Sequence, residues 1–337
     1  MGEPSTAIGS LARITDFADR LPDFVEVPRD EWRRGDYLVT EILPGSPEAY
    51  EVETVDGSYV TAGPGDRLIG ALGVRAATLE VVGSWEAIGD DLEMQALTAA
   101  AVLGRCTSAS SDAPSLPSLR YLGHATRGDG PLNMADFVSE VEDREFDCPV
   151  ILIIGTSMNS GKTVAAAAMI RELTAMGKSV AGVKVTGVGR YRDTIAMKNA
   201  GAQKIADFVD VGLPSSVVPV EEYAASLTDL LSMVAAEEPD VVVIEAGASP
   251  LEPYRGDVAM EVLDGSVALT VLCASDPYAV MGVMSAFEMR PDLVTGPCTS
   301  TEAGVELIDK LVGVPAINMF DESNAAKVAD FLKEKLG

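Results

Sequence analysis

Apolar and polar positions follow one rule up to about Asp147 and another after it. In the first stretch, short runs with apolar residues at alternate positions are separated by turn residues. Tyr37–Leu43 leads to a Pro-Gly-Ser-Pro turn, Tyr50–Val55 to Asp56-Gly57, and Ser58–Ala62 to Pro64-Gly65-Asp66, with Arg67–Ala71 following. A period of two broken by Asp-Gly and Pro-Gly turns predicts antiparallel hairpins, closed into a small barrel or packed as a sandwich. The spacing over Asp91–Leu103 predicts a helix. Cys106–Ser118, rich in Ser, Pro and Ala, predicts a mobile loop.

From Pro149 the apolar runs become continuous. Val150–Ile154, Ser179–Val185, Asp240–Glu245, Val267–Cys273, Leu293–Thr295 and Pro315–Met319 predict strands buried on both faces. Amphipathic stretches at Lys162–Met176, Glu221–Glu238, Tyr278–Met289, Ser300–Leu311 and Glu322–Leu336 predict helices. Lys198–Gly212 reads as a helix end followed by a short strand. Strands alternating with helices imply βαβ units and a parallel sheet. The expected organisation is a smaller β-rich domain over residues 1–147, then an α/β domain over 148–337.

Charge narrows the partners. With 25 basic and 52 acidic side chains the formal net charge is −27, which repels nucleic acid and anionic lipid. No lysine precedes Lys162, so an anionic ligand can bind only where individual cations are placed for it. Cys106, Cys148, Cys273 and Cys298 lie far apart, with His124 as the single histidine, so zinc and disulfide spacings are both missing. Free cysteines, no membrane-length apolar run and no signal-peptide pattern at the N-terminus lead to a cytoplasmic expectation. A homodimer remains open.

One segment carries recognisable chemistry. Gly155-Thr156-Ser157-Met158-Asn159-Ser160-Gly161-Lys162-Thr163 joins a strand to a helix. Successive N–H groups from Met158 to Thr163, with the positive end of the helix, can surround phosphate oxygens. A Cβ at Gly161 is expected to collide with the phosphate. Lys162 should reach the β/γ-phosphates and the Thr163 hydroxyl should ligate Mg²⁺. The first glycine stands one residue earlier than the usual spacing, leaving Thr156 in its place.

That loop resembles the one in dethiobiotin synthetase, whose first loop glycine is likewise followed by threonine. Two further blocks match in order: Ala181-Gly-Val-Lys-Val-Thr-Gly187, with Lys184 at a strand end, and Val243-Ile-Glu-Ala-Gly247. The molybdopterin-cofactor accessory P-loop protein is similar, as is a family of uncharacterised domains that includes D-glutamate N-acetyltransferases. The resemblance implies a P-loop nucleotide-binding fold from about Val150 to Leu336. It also implies ATP with Mg²⁺ held by Thr163, Asp193 and Glu245, and Lys184 near the acceptor. Arg190 and Arg192 are further cations for a phosphoryl group or a carboxylate.

Around this core, Ser249, Ser275 and Asp276 follow strands and could face the acceptor or the γ-phosphate. Cys298 lies where a base-contacting loop is expected, and His124 is a candidate for a cleft between domains. The guanine-selecting Asn-Lys-x-Asp pattern is absent, which favours ATP. Three readings follow. The first is an ATP- and Mg²⁺-dependent ligase or kinase-like enzyme that activates a small carboxylate. The second is an acyl-CoA-dependent N-acyltransferase of an amino acid, and the third a nucleotide-switched accessory protein.

Overall fold

A computed structural model of the chain describes residues 4–128, 130–247 and 249–336. The chain folds as two compact units. One comprises Met1–Glu140, Val188–Arg192 and Phe208–Val217; the other comprises Val141–Gly187, Asp193–Asp207 and Val218–Gly337.

In the first unit, Tyr37–Ile42 pairs antiparallel with Arg67–Leu72 and with Ser118–Thr126. Ser118–Thr126 pairs with Met94–Ala96, which pairs with Val102–Ala109, and Val102–Ala109 returns to Arg67–Leu72 in parallel. These five strands close a ring, the barrel rather than the sandwich of the two arrangements the alternating pattern allows. Its interior is filled by Leu38, Ile42, Leu68, Leu72, Met94, Leu103 and Leu119, with Trp32 at one side. Tyr50–Glu53 and Tyr59–Ala62 form a separate hairpin across Asp56-Gly57.

Two expectations for this unit fail. Asp91–Leu103 is not a helix, because Met94–Ala96 and the start of Val102–Ala109 are strands of the ring. Cys106 to Ala109 belongs to that last strand, so the loop is shorter than its composition suggests. Pairing partners distant in sequence decided both cases, and local propensity carries no information about them.

The second unit is an α/β P-loop fold. Its strands are β1 (Val150–Gly155), β2 (Val180–Thr186), β3 (Lys204–Asp207), β4 (Val241–Ala246), β5 (Val267–Cys273) and β6 (Leu293–Thr295), all parallel in the order β3-β2-β4-β1-β5-β6. The helices are α1 (Lys162–Ala175), α2 (Tyr191–Asn199), α3 (Val220–Ala235), α4 (Gly256–Leu263), α5 (Pro277–Ala286), α6 (Glu302–Val312) and α7 (Ala325–Leu336). Every residue of β1 is buried, as its unbroken apolar run requires. Ile151 and Ile153 share one core with Val243, Val271, the α1 residues Ala165, Ala166, Met169 and Ile170, and Val328 and Leu332 of α7. The small side chains of α1 let its axis approach the sheet closely, which fixes the start of that helix over the end of β1.

Pro315–Met319, expected as a strand, contributes only an isolated bridge from Ala316 to Val294. Proline at its first position removes one ladder donor. Helix α4 is an element that the sequence pattern did not separate from its surroundings. No helix among the described residues is long and apolar enough to cross a membrane.

Candidate nucleotide site

The phosphate loop leaves β1 at Gly155 and enters α1 through Gly161, which has φ +96° and caps the helix in the left-handed region. Asn159 is also left-handed, at φ 58°, so the chain reverses twice within three residues. Among the described residues, no acceptor takes a hydrogen bond from the N–H groups of Met158 to Thr163. Such a turn, with free donors at a helix start, is an anion cradle.

Lys162 lies across this loop. Its Nζ donates to the Ser157 carbonyl at 2.7 Å and to Ser160 Oγ at 3.4 Å. A Cβ on Gly155 would sit 2.4 Å from Ser160 Oγ and 2.9 Å from Lys162 Nζ, so glycine there makes room for the fold-back. Burial pushes the Lys162 ammonium below its ordinary range, with Glu245 and Cys273 opposing. A desolvated cation held only by a carbonyl and a hydroxyl gains strongly when an anion arrives.

The expectation that phosphate lies against the open side of Gly161 is corrected. A Cβ there would meet Cζ of Phe320 at 2.6 Å, so the protein's own ring fills that side.

Charges gather at the carboxyl ends of three adjacent strands. Lys184 of β2 is in register with Asp207 of β3 and with Glu245 of β4. Its Nζ donates to Asp193 Oδ2 at 2.5 Å. Burial alone would lower the Lys184 pKa, but the charges of Asp193, Glu245 and Asp207, with the hydrogen bond to Asp193, together raise it. Glu245 is 3% exposed, and burial followed by the nearby Asp193 charge pushes its carboxyl above the usual range, against the pull of Lys184 and Lys162. Thr163 Oγ1 donates to Glu245 Oε1 at 3.4 Å. Glu245 Oε2 is buried and has no hydrogen-bond partner. An orphaned carboxylate oxygen beside the loop threonine is a donor set that fits a hard cation such as Mg²⁺. Asp193, the other expected ligand, is here the partner of Lys184.

The remaining candidates are distributed as follows. Thr156 Oγ1 accepts from the Ser275 amide at 3.2 Å, tying the phosphate loop to the turn after β5. Asp276 is the N-cap of α5, accepting from Tyr278 and Ala279. The Ser249 amide donates to Glu252 at 2.7 Å. Arg190 and Arg192 belong to the first unit, where with Arg75, Tyr50 and Tyr59 they line a cavity of about 580 Å³. Glu53, fully buried, accepts from the amides of Tyr191 and Arg192 and from Ser10 Oγ. Arg190 Nη2 donates to the Tyr59 hydroxyl at 3.2 Å.

His124 is buried inside the first unit, with Nδ1 2.7 Å from the Tyr121 hydroxyl and Trp32 packed edge-on, and so lines no cleft. Glu252 and Asp207, missed in the sequence, both contribute charge to the lysine pair. Asp207 had one legible signal, an acid at a strand's carboxyl end, and Glu252 had none.

The cysteines are structural. Cys298 Sγ donates to the Thr295 carbonyl at 3.3 Å, and burial pushes its thiol up to about 11. Burial also raises Cys148 and, more strongly, Cys273. Cys106 is half-buried. At pH 8 a thiol reagent is therefore expected to modify Cys106 rapidly in the native protein and the other three only on unfolding. Rapid labelling that survives Cys106→Ser would refute this.

Residues 138–295 match a family described as "Domain of unknown function (DUF1611_C) P-loop domain". A comparison with curated proteins gave no match. Among solved structures, the chain is similar to chloroplast FtsY from Physcomitrella patens at 14% identity, over 59% of this chain and 70% of that one, with a TM-score of 0.38. A DUF1611 family protein from Anabaena variabilis is 12% identical over 58% of this chain and 62% of its own, with a TM-score of 0.37. HypB from Helicobacter pylori, solved with nickel, is 16% identical over 56% of this chain and 87% of its own, with a TM-score of 0.37.

Proposed function

We propose that the second unit binds Mg·ATP and transfers its γ-phosphoryl group to a carboxylate oxygen of a small metabolite, in the manner of dethiobiotin synthetase. The observation that carries this reading is the buried row Lys162, Glu245 and Lys184 beside a loop of free amides. On nucleotide binding, the amides of Met158 to Thr163 take the β-phosphate oxygens. Lys162 exchanges the Ser157 carbonyl for oxygens of the β/γ-phosphates.

Thr163 and the orphaned oxygen of Glu245 are the residues that would hold magnesium, which would neutralise charge on the same oxygens. Lys184 offsets the negative charge of Glu245 and Asp193, and so positions the ligand set without touching the acceptor. The acceptor carboxylate forms a bond to the γ-phosphorus as the bond to the β–γ bridging oxygen breaks. ADP leaves with that electron pair, and an acyl phosphate remains.

Thermal stabilisation tests the reading. Mg·ATP at about 100 times its Kd should add about 2.7 kcal/mol of stability. With hydroxylamine present, ATP and a low-mass metabolite extract should yield a hydroxamate from the trapped acyl phosphate. Stabilisation by acetyl-CoA but not by Mg·ATP would replace this reading with the acyltransferase one. Nucleotide binding with no turnover in the extract would leave a nucleotide-switched protein.

A further inference from the structure

Phe320 stands out on the second unit. It is an aromatic ring 47% exposed, yet it abuts Gly161 of the phosphate loop. Four chain segments meet there. A Cβ on Gly296 would lie 2.5 Å from the Ser160 carbonyl and 2.7 Å from that of Ala274, so the turns after β5 and β6 press on the phosphate loop. Phe320 completes the group from the segment that follows the Ala316 bridge.

The ring is held by its backbone and not by burial. The Phe320 amide donates to Asn318 Oδ1 at 3.0 Å, and the Asn318 carbonyl accepts from Asn324 Nδ2 at 3.1 Å. On one side Met319 is buried; on the other, Asp321 caps the helical turn Glu322–Asn324. Among the described residues, no other ring packs on Phe320. Cys298, in the turn where a base contact was expected, is buried and committed to Thr295.

We propose that Phe320 is the platform on which the purine base of the bound nucleotide stacks. The inference rests on the phosphate-loop reading. A ligand whose phosphates lie on the loop amides must carry its nucleoside past the loop's rim, and the pinned, half-exposed ring is at that rim. Stacking uses the base's face and ignores its edge, so Phe320 supports adenine and guanine alike.

Calorimetry of the full chain separates the possibilities, with Mg·ATP, Mg·GTP and inorganic tripolyphosphate as probes. Wild type should bind all three. Phe320→Ala should weaken both nucleotides by about five- to 150-fold, the range of base–aromatic stacks, and leave tripolyphosphate unchanged. Phe320→Trp should retain nucleotide affinity. If Phe320→Ala weakens tripolyphosphate equally, the ring merely braces Gly161 and the inference fails. It also fails if nucleotide affinity is untouched, or if wild type binds tripolyphosphate but neither nucleotide. Wild type binding none of the three would remove the phosphate-loop reading itself, and the platform with it.

Discussion

Lys162→Ala is expected to abolish nucleotide binding and turnover while leaving the ligand-free protein at least as stable as wild type. The amine is 5% exposed and bonded to a carbonyl and a hydroxyl, so its desolvation is poorly compensated until phosphate arrives. Truncating one partner of a buried, hydrogen-bonded charge pair costs about 2–5 kcal/mol of binding. A lysine whose folded pKa is depressed disfavours the native state below that depressed value, and the penalty fades as pH rises toward the unfolded value. The variant's stability advantage should therefore be greatest near neutral pH and shrink in alkali. Calorimetric titration of Mg·ATP and melting curves from pH 7 to 10 check both parts. A variant that melts lower and still binds ATP would overturn the assignment.

Lys184→Met should do the opposite. This lysine is also buried, but it faces Asp193, Glu245 and Asp207, and its pKa is raised. Removing it leaves buried carboxylates without their countercharge, a change that typically costs about 3–5 kcal/mol. At about 2–4 °C per kcal/mol for a unit of this size, the melting temperature should fall by roughly 10 °C. A raised folded pKa contributes stability that is fully present below the unfolded lysine value and is lost as pH climbs through the folded one. Wild type and variant should thus converge only in strong alkali. Adding Asp193→Asn to Lys184→Met should recover part of the loss, because one uncompensated charge disappears. An unchanged melting temperature in Lys184→Met would show that the cluster is not ionised.

The two lysines illustrate what the sequence could and could not reveal. Both stand at strand or helix boundaries with glycines nearby, and both were legible as cations of the site. Their opposite energetics come from the carboxylates beside Lys184, Asp193 first, then Glu245 and Asp207, and Asp207 reaches the cluster only through strand register. The parallel sheet was legible because its strands are buried on both faces and read as continuous apolar runs. In the β-rich unit, Met94–Ala96 is only three residues long, too short to show a period before its partners are known. Phe320 was illegible for a similar reason. Nothing in Asn318-Met319-Phe320-Asp321 marks it, and only the path of the chain brings its ring to Gly161. Arg190 and Arg192 read as cations for a phosphoryl group or a carboxylate because they flank a glycine turn. The amides of Tyr191 and Arg192 anchor that turn on Glu53, a buried acid more than a hundred residues earlier in the chain.

That anchoring bears on how the protein can be divided. Val188–Arg192 and Phe208–Val217 fold with the amino-terminal residues although the chain around them builds the parallel sheet. A fragment ending near Glu140 would lose the two N–H donors of Glu53 and leave that buried carboxylate with the Ser10 and Tyr59 hydroxyls. The complementary fragment would carry two excursions with nothing to fold against. A single cut between the halves therefore separates Val188–Arg192 and Phe208–Val217 from the residues they fold with.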